Sequence, residues 1–348
     1  MKKIAVIGKF YTALGIGDGQ AIKTNILTEE LEHAYGTENI RRINTYGWKK
    51  HPAQLFAACV AAVRSCTDVI FMTDAGGIKV FPWLLHAANI AGSCRLHYVV
   101  VGGWLCGYLE KNKVLAWCLK KFDGIYVETE TMRKAMENQG FANIAVMPNC
   151  KRLTVLDENE LISCEEEPYR LCIFSRVMRE KGVADAVEAV TAVNRRAGRQ
   201  VYALDIYGQI DPDQQDWFEE LQAGFPDYIR YGGTIDYHRS VEVLKDYFAL
   251  LFPTKFYTEG IPGTIIDAFA AGVPVISSRW ESFGDILDDD TCISYPFGDE
   301  NGLLDALEAA AKDPTLLHRR KIACLRRAAR YAPENVMEIL ISRLNNEK

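Results

Sequence analysis

One stretch in the second half of the chain combines two acids with a run of backbone donors. It reads Glu259-Gly260-Ile261-Pro262-Gly263-Thr264-Ile265-Ile266-Asp267 and continues through Gly272-Val273-Pro274 into Val275-Ile276. Pro262 suits a first helical turn, where its missing N–H is not needed, and Gly272 with Pro274 suit the helix stop. Gly260, Ile261, Gly263 and Thr264 then present free N–H groups at a helix N-terminus, which is an anion site with a preference for phosphate. Glu259 stands just before these donors and Asp267 one turn behind them. Two carboxylates beside a phosphate cradle suit a sugar hydroxyl and a ribose, so the stretch outlines a pocket for a nucleotide sugar.

Such a loop needs a strand on each side and a helix behind it. Ile265, Ile266, Phe269 and Ala270 recur at helical spacing and should face a core, and Phe252 and Val275-Ile276 belong to apolar runs that read as strands. The same alternation fills the chain. Strands are expected at 4–8, 40–46, 69–73, 96–101, 124–128 and 144–147, then at 169–174, 201–207 and 229–235, each separated from the next by a helical pattern. Strands spaced by helices imply a doubly wound parallel sheet, and 348 residues favour two such domains over one core. Residues 153–167 break the period and collect acids, so they read as a link. This gives a first domain at 1–152, a second at 168–315 and terminal helices at 316–348.

The run Glu259-Gly260-x-Pro262 with Asp267-Ala268-x-Ala270-x-Gly272-x-Pro274-Val275-Ile276 resembles the E-x7-E signature of the retaining GT-B glycosyltransferases of family 4, with Asp where the family has Glu. The resemblance implies two Rossmann-like domains facing a cleft. It gives Glu259 the donor sugar, the turn 260–264 the diphosphate, and Asp267 the ribose, although Asp is shorter than Glu by one methylene. Ser175-Arg176-Val177-Met178-Arg179-Glu180-Lys181-Gly182 is similar to the family stretch whose arginine and lysine hold that diphosphate, so Arg176 and Lys181 would neutralise the leaving group without a metal. Gly208, Thr234 and Ile235, at two neighbouring strand ends, fall on the donor side.

In the first domain the loop Gly17-Asp18-Gly19-Gln20 follows the opening strand and is expected on the acceptor side of the cleft. Its spacing is not the G-x-G-x-x-G of a dinucleotide fold, which disfavours a nicotinamide oxidoreductase. Gly102-Gly103-Trp104 occupies the place where many family members carry a cleft histidine; His97, before it, reads as structural. Lys23 reads equally as a solvent-facing lysine or a ligand contact. Asp211-Pro212-Asp213 reads as a turn and helix cap rather than a metal-binding D-x-D.

Composition is that of a globular protein, with 49% hydrophobic and 25% charged residues. Ten cysteines show no C-x-x-C pair and no metal-like grouping, and they read as reduced core residues. No signal peptide or membrane span is visible, so the expectation is a cytoplasmic protein. Net charge is −6, yet residues 1–152 carry 19 Lys and Arg against 12 Asp and Glu. A basic first half fits an anionic partner. The helix expected at 108–121 mixes Trp117 with four lysines; it reads first as packed on its own sheet, and otherwise as a peripheral contact with the anionic inner membrane face. The string is similar to bacterial exopolysaccharide and capsule enzymes, which implies a UDP-sugar donor and a saccharide or polyprenyl-diphosphate-linked acceptor. Neither nucleic acid nor a cofactor is expected. A GT-B nucleotide-sugar epimerase and a non-catalytic GT-B partner protein are the rival readings.

Overall fold

The computed structural model describes residues 2–10, 19–162 and 166–346. Two six-stranded parallel sheets organise the chain. The first contains β1 (Ile4–Gly8), β2 (Ile40–Asn44), β3 (Asp68–Met72), β4 (Arg95–Val99), β5 (Gly124–Val127) and β6 (Ile144–Val146), in the order β2-β1-β3-β4-β5-β6. The second contains β7 (Tyr169–Phe174), β8 (Tyr202–Tyr207), β9 (Ile229–Gly233), β10 (Ala249–Phe252), β11 (Val275–Arg279) and β12 (Cys292–Pro296), in the order β12-β11-β10-β7-β8-β9. Central strands such as Ile-Ala-Val-Ile-Gly in β1 and Ala-Leu-Leu-Phe in β10 are buried along their whole length. They need no alternation because helices cover both faces of a parallel sheet.

The chain divides into two compact units, Met1–Arg152 with Tyr331–Lys348, and Leu153–Arg330. The return into the first unit thus begins at Tyr331, not at 316. Helix Lys321–Ala328 stays in the second unit, against helix Gly263–Ala270. The acidic segment after 152 is also anchored there. Leu156 N–H donates to Ala270 O (3.0 Å), and Leu161 packs where a side chain at Gly272 would collide with it. Between these contacts its acids form one 3-10 turn, Glu158–Glu160, where Asp157 N–H donates to the Glu160 carboxylate (2.9 Å).

Helix Pro333–Asn345 completes the first unit. Val336, Met337, Leu340 and Leu344 join the core formed by Ile26, Leu27 and Leu31. Its terminal carbonyls are capped by cations, Arg95 donating to Leu344 O (2.5 Å) and Asn346 O (2.7 Å), with Lys2 on Leu344 O as well. Positive charge is favourable at that end of a helix.

The helix expected at 108–121 is two helices, Leu105–Lys111 and Lys113–Leu119. Asn112 breaks it, leaving helical geometry while its side chain bonds back to Tyr108 O (2.7 Å). Among the described residues no helix is long and apolar enough to cross a membrane. Nine cysteines fall among the described residues, all free, and burial pushes the Cys59 and Cys118 thiols up to about 11.

Candidate functional site

In the second unit the strand order reverses between β7 and β10, which lie side by side. Their following loops leave in opposite directions and open a crevice at the carboxyl ends of the strands, the usual ligand position in such sheets. Gly182 lets the two loops touch. Its φ is 70°, and a Cβ there would lie 2.0 Å from Pro253 O. This contact sets Lys181 onto Glu259 as an ion pair, with side chains 17% and 15% exposed. Thr254 Oγ1 donates to the same Glu259 oxygen (3.0 Å), and the Phe252 and Phe256 rings stand 5.5 and 5.2 Å from the Lys181 ammonium. A cation between two aromatic faces is partly desolvated, so its interactions with anions are screened less than in water.

Helix Gly263–Ala270 starts immediately beyond. Pro262 occupies the N-cap position rather than the first turn, with extended backbone (ψ 125°). It has no side chain to cap the helix, and no acid sits in the first turn. Among the described residues the N–H groups of Gly263 and Thr264 donate to no protein acceptor, and the buried Thr264 hydroxyl has no partner. Gly260 and Ile261 are buried beneath this turn. A helix start with unsatisfied donors is a receptor for an anion.

Other expected residues lie around this centre in different ways. Asp267 is 1% exposed and accepts from Ser240 Oγ (2.8 Å), so the second acid is directed into the fold. Arg176, half exposed, faces Asp211 at 3.6 Å and forms no hydrogen bond or ion pair with the Glu259–Thr264 turn. Asp211 also accepts from Asp213 N–H (3.1 Å), as a turn cap does. Gly208 is pressed onto the β7 loop, for a Cβ there would lie 1.8 Å from Ser175 O. Thr234, exposed, and Ile235, half-buried, follow β9. Among the described residues no three His, Cys, Asp or Glu side chains converge as a metal ion would require.

In the first unit Gly17 and Asp18 lie outside the described residues. Gly19 begins helix Gly19–Tyr35, and Gln20 Nε2 donates to Met72 O (3.1 Å). Lys23 is neither solvent-facing nor open to a ligand. It is 2% exposed, bonded to Glu128 (2.7 Å) and to Val100 O (3.1 Å). Its long side chain passes under the helix because the inward face meets the ends of β4 and β5. Gly102, with φ 79°, turns the chain after β4, and Gly103 is buried. Trp104 folds back to donate to Val101 O (3.0 Å). His97 is structural, its ring between Asp68 Oδ1 and the Tyr126 hydroxyl, both at 3.2 Å.

Residues 168–313 match the family described as Glycosyl transferases group 1. No curated protein matches the sequence. Solved structures match along the whole chain. A sucrose-phosphate synthase from Thermosynechococcus elongatus aligns with TM-score 0.74 and 16% identity over 98% of both chains. Anabaena HepE in complex with UDP and glucose aligns with TM-score 0.75 and 12% identity over 100% of both. The lipopolysaccharide outer core galactosyltransferase WaaB, in its apo form, aligns with TM-score 0.69 and 17% identity over 98% of this chain and 99% of that one. The fold is GT-B. The matched family region contains both Lys181 and the Glu259–Asp267 turn.

Proposed function

We propose that this chain is a retaining glycosyltransferase that moves a sugar from a nucleoside diphosphate, UDP in the first instance, to a saccharide hydroxyl. The observation that carries this reading is the placement of the Lys181–Glu259 pair beside an uncapped helix start with an orphaned Thr264 hydroxyl. The diphosphate takes the Gly263 and Thr264 N–H groups and the Lys181 ammonium. Arg176 swings from Asp211 to join them. Glu259, released from part of its pairing with Lys181, orients the sugar hydroxyls. As the C1–O bond breaks, its electron pair moves to the diphosphate, where these donors meet the growing charge without a metal. The acceptor oxygen forms the new C1–O bond and gives its proton to the departing phosphate.

Asp267 enters as a positioning residue. Bound to Ser240, it ties helix Ser240–Leu244 to the helix that begins at Gly263; the ribose contact implied by the signature requires this carboxylate to leave Ser240. A place in cell-surface polysaccharide synthesis, on a saccharide or polyprenyl-diphosphate-linked acceptor, fits the basic first half. Helix Lys113–Leu119 exposes Val114 and Trp117, with the Lys121 ammonium 5.5 Å over the indole. A face of this kind suits an anionic membrane surface. Charge reversal at Lys113, Lys120 and Lys121 should abolish sedimentation with anionic vesicles, and no sedimentation of the wild type removes the membrane contact.

Incubation with a panel of UDP-sugars, with and without saccharide acceptors, tests the activity. Product bearing the donor's anomeric configuration, formed only with acceptor, is expected. An isomerised nucleotide sugar without acceptor would make the protein an epimerase, and absence of turnover with intact nucleotide binding would make it a non-catalytic partner.

A further inference from the structure

Lys181 ends a single 3-10 turn, Arg179–Lys181, whose own backbone bonds run from Lys181 N–H to Met178 O (3.1 Å) and from Gly182 N–H to Arg179 O (2.9 Å). One turn of this kind has poor hydrogen-bond geometry and is not rigid by itself. Its place is set by the loops on either side. From the β10 side, Lys255 N–H donates to Glu180 O (2.8 Å). On the β8 side the chain first runs alongside, Val177 N–H donating to Gln209 O (2.9 Å) and Asp211 N–H to Val177 O (3.0 Å). Gln214 then reaches across. Its Oε1 accepts from Arg179 N–H (2.8 Å), and its Nε2 donates to Glu180 Oε2 (2.9 Å). Gln214 stands at the N-cap position of helix Gln215–Ala223, yet its side chain does not cap that helix. The Arg179 guanidinium lies 4.7 Å over the Trp217 ring of the same helix.

We propose that Gln214 is a positioning residue for the donor diphosphate, acting through Lys181. This rests on the glycosyl-transfer reading and adds a residue from outside the two loops that meet the phosphates. Consecutive residues of the turn present opposite needs, a backbone N–H that requires an acceptor and a carboxylate that requires a donor. A primary amide serves both at once, which neither an ionised acid nor an ammonium can do. The Gln214 bond, and after it the residue's own backbone N–H, hold the Glu180 carboxyl below its usual range, so near neutral pH it is the anion that this amide meets. Lys181 follows directly in the chain. A shift of about 1 Å in the turn carries the ammonium with it, and misplacement of that size at a reacting group costs on the order of 10²-fold.

A double-variant cycle on the full chain tests this, read as UDP affinity by calorimetry at a temperature where circular dichroism shows every variant folded. Gln214→Ala should weaken UDP binding about fivefold. In the Lys181→Ala background the same substitution should cost almost nothing, because the group it positions is gone. Gln214→Glu should bind more weakly than Gln214→Ala, since it sets a second carboxylate against Glu180. Combining Gln214→Glu with Glu180→Gln exchanges donor and acceptor, and should bring affinity back to within about twofold of the wild type. Wild-type affinity in Gln214→Ala, equal losses in both backgrounds, or an exchanged pair no better than Gln214→Glu alone overturns the proposal. Each of these results leaves the donor reading standing as long as Lys181→Ala weakens UDP binding. A wild type that binds none of UDP, GDP and ADP sinks the donor reading, and this assignment with it.

Discussion

Lys23 with Glu128 in the first unit, and Lys181 with Glu259 in the second, are the same two side-chain types at the same end of the same kind of sheet. Both side chains of the first pair are 2% exposed, while those of the second are 17% and 15% exposed. The difference separates two uses of one interaction. A pair sealed from water has no free face for a ligand; it fixes helix Gly19–Tyr35 on the ends of β4 and β5, and losing either member takes the opposite charge away from a buried group. A pair with an open face is desolvated enough to be strong and accessible enough to exchange a carboxylate for a phosphate. Under the proposed function, burial tells the structural pair from the chemical one, and residue type does not.

That comparison breaks most readily at Lys23. Lys23→Ala should lower stability by about 3–5 kcal/mol, because Glu128 is left charged and buried. Urea denaturation measures this, and Lys23→Met with Glu128→Leu should recover most of the loss. A change below about 1 kcal/mol in the single variant would mean that the sealed pair is not what holds the helix. Lys181→Ala should do the reverse, cutting kcat by on the order of 10²–10³ while stability moves by less than about 1 kcal/mol. Similar destabilisation in both variants would erase the distinction.

Asp205 sharpens the comparison from between the two. It is 8% exposed, but its partners Arg170 and Arg230 are 42% and 64% exposed. Burial pushes its pKa up, yet hydrogen bonds from Arg230, Tyr247 and Arg170 outweigh this and hold the carboxyl below its usual range. A depressed native pKa gives stability that is full above the unfolded value of about 3.9 and is lost as pH falls through the folded pKa. Asp205→Asn should therefore lower stability by about 1–2 kcal/mol at pH 7, discounted for the exposed arginines, and the gap from wild type should shrink below about pH 4. A gap that persists in acid would locate the effect in packing. The smallest effect is expected at Thr264. Thr264→Val removes a buried hydroxyl that has no partner among the described residues, so stability should hold while UDP affinity falls about fivefold, or roughly 1 kcal/mol. Lost stability with unchanged affinity would make the hydroxyl structural.

All the strands but β12 were legible in the sequence because parallel strands are short apolar runs separated by helical periods; Cys292–Pro296, a half-buried edge strand, shows no such run. The loop leading into helix Gly263–Ala270 was legible because glycine and proline positions are local features of one stretch. Side-chain partners across the fold were not. Nothing near Lys23 in the sequence announces Glu128, 105 positions away, and Asp267 shows its acid without showing Ser240. Asn112 looked like an ordinary helical position until its side chain took Tyr108 O and split the helix.

The central claim is that the Lys181 loop and the start of helix Gly263–Ala270 together receive a diphosphate. Calorimetric titration of UDP into the wild type and into Lys181→Ala tests it most directly, with GDP and ADP in parallel. One site should bind a nucleoside diphosphate, with affinity falling at least tenfold in the variant. Equal affinity in the two proteins, or no binding of any of the three nucleotides to the wild type, would contradict it.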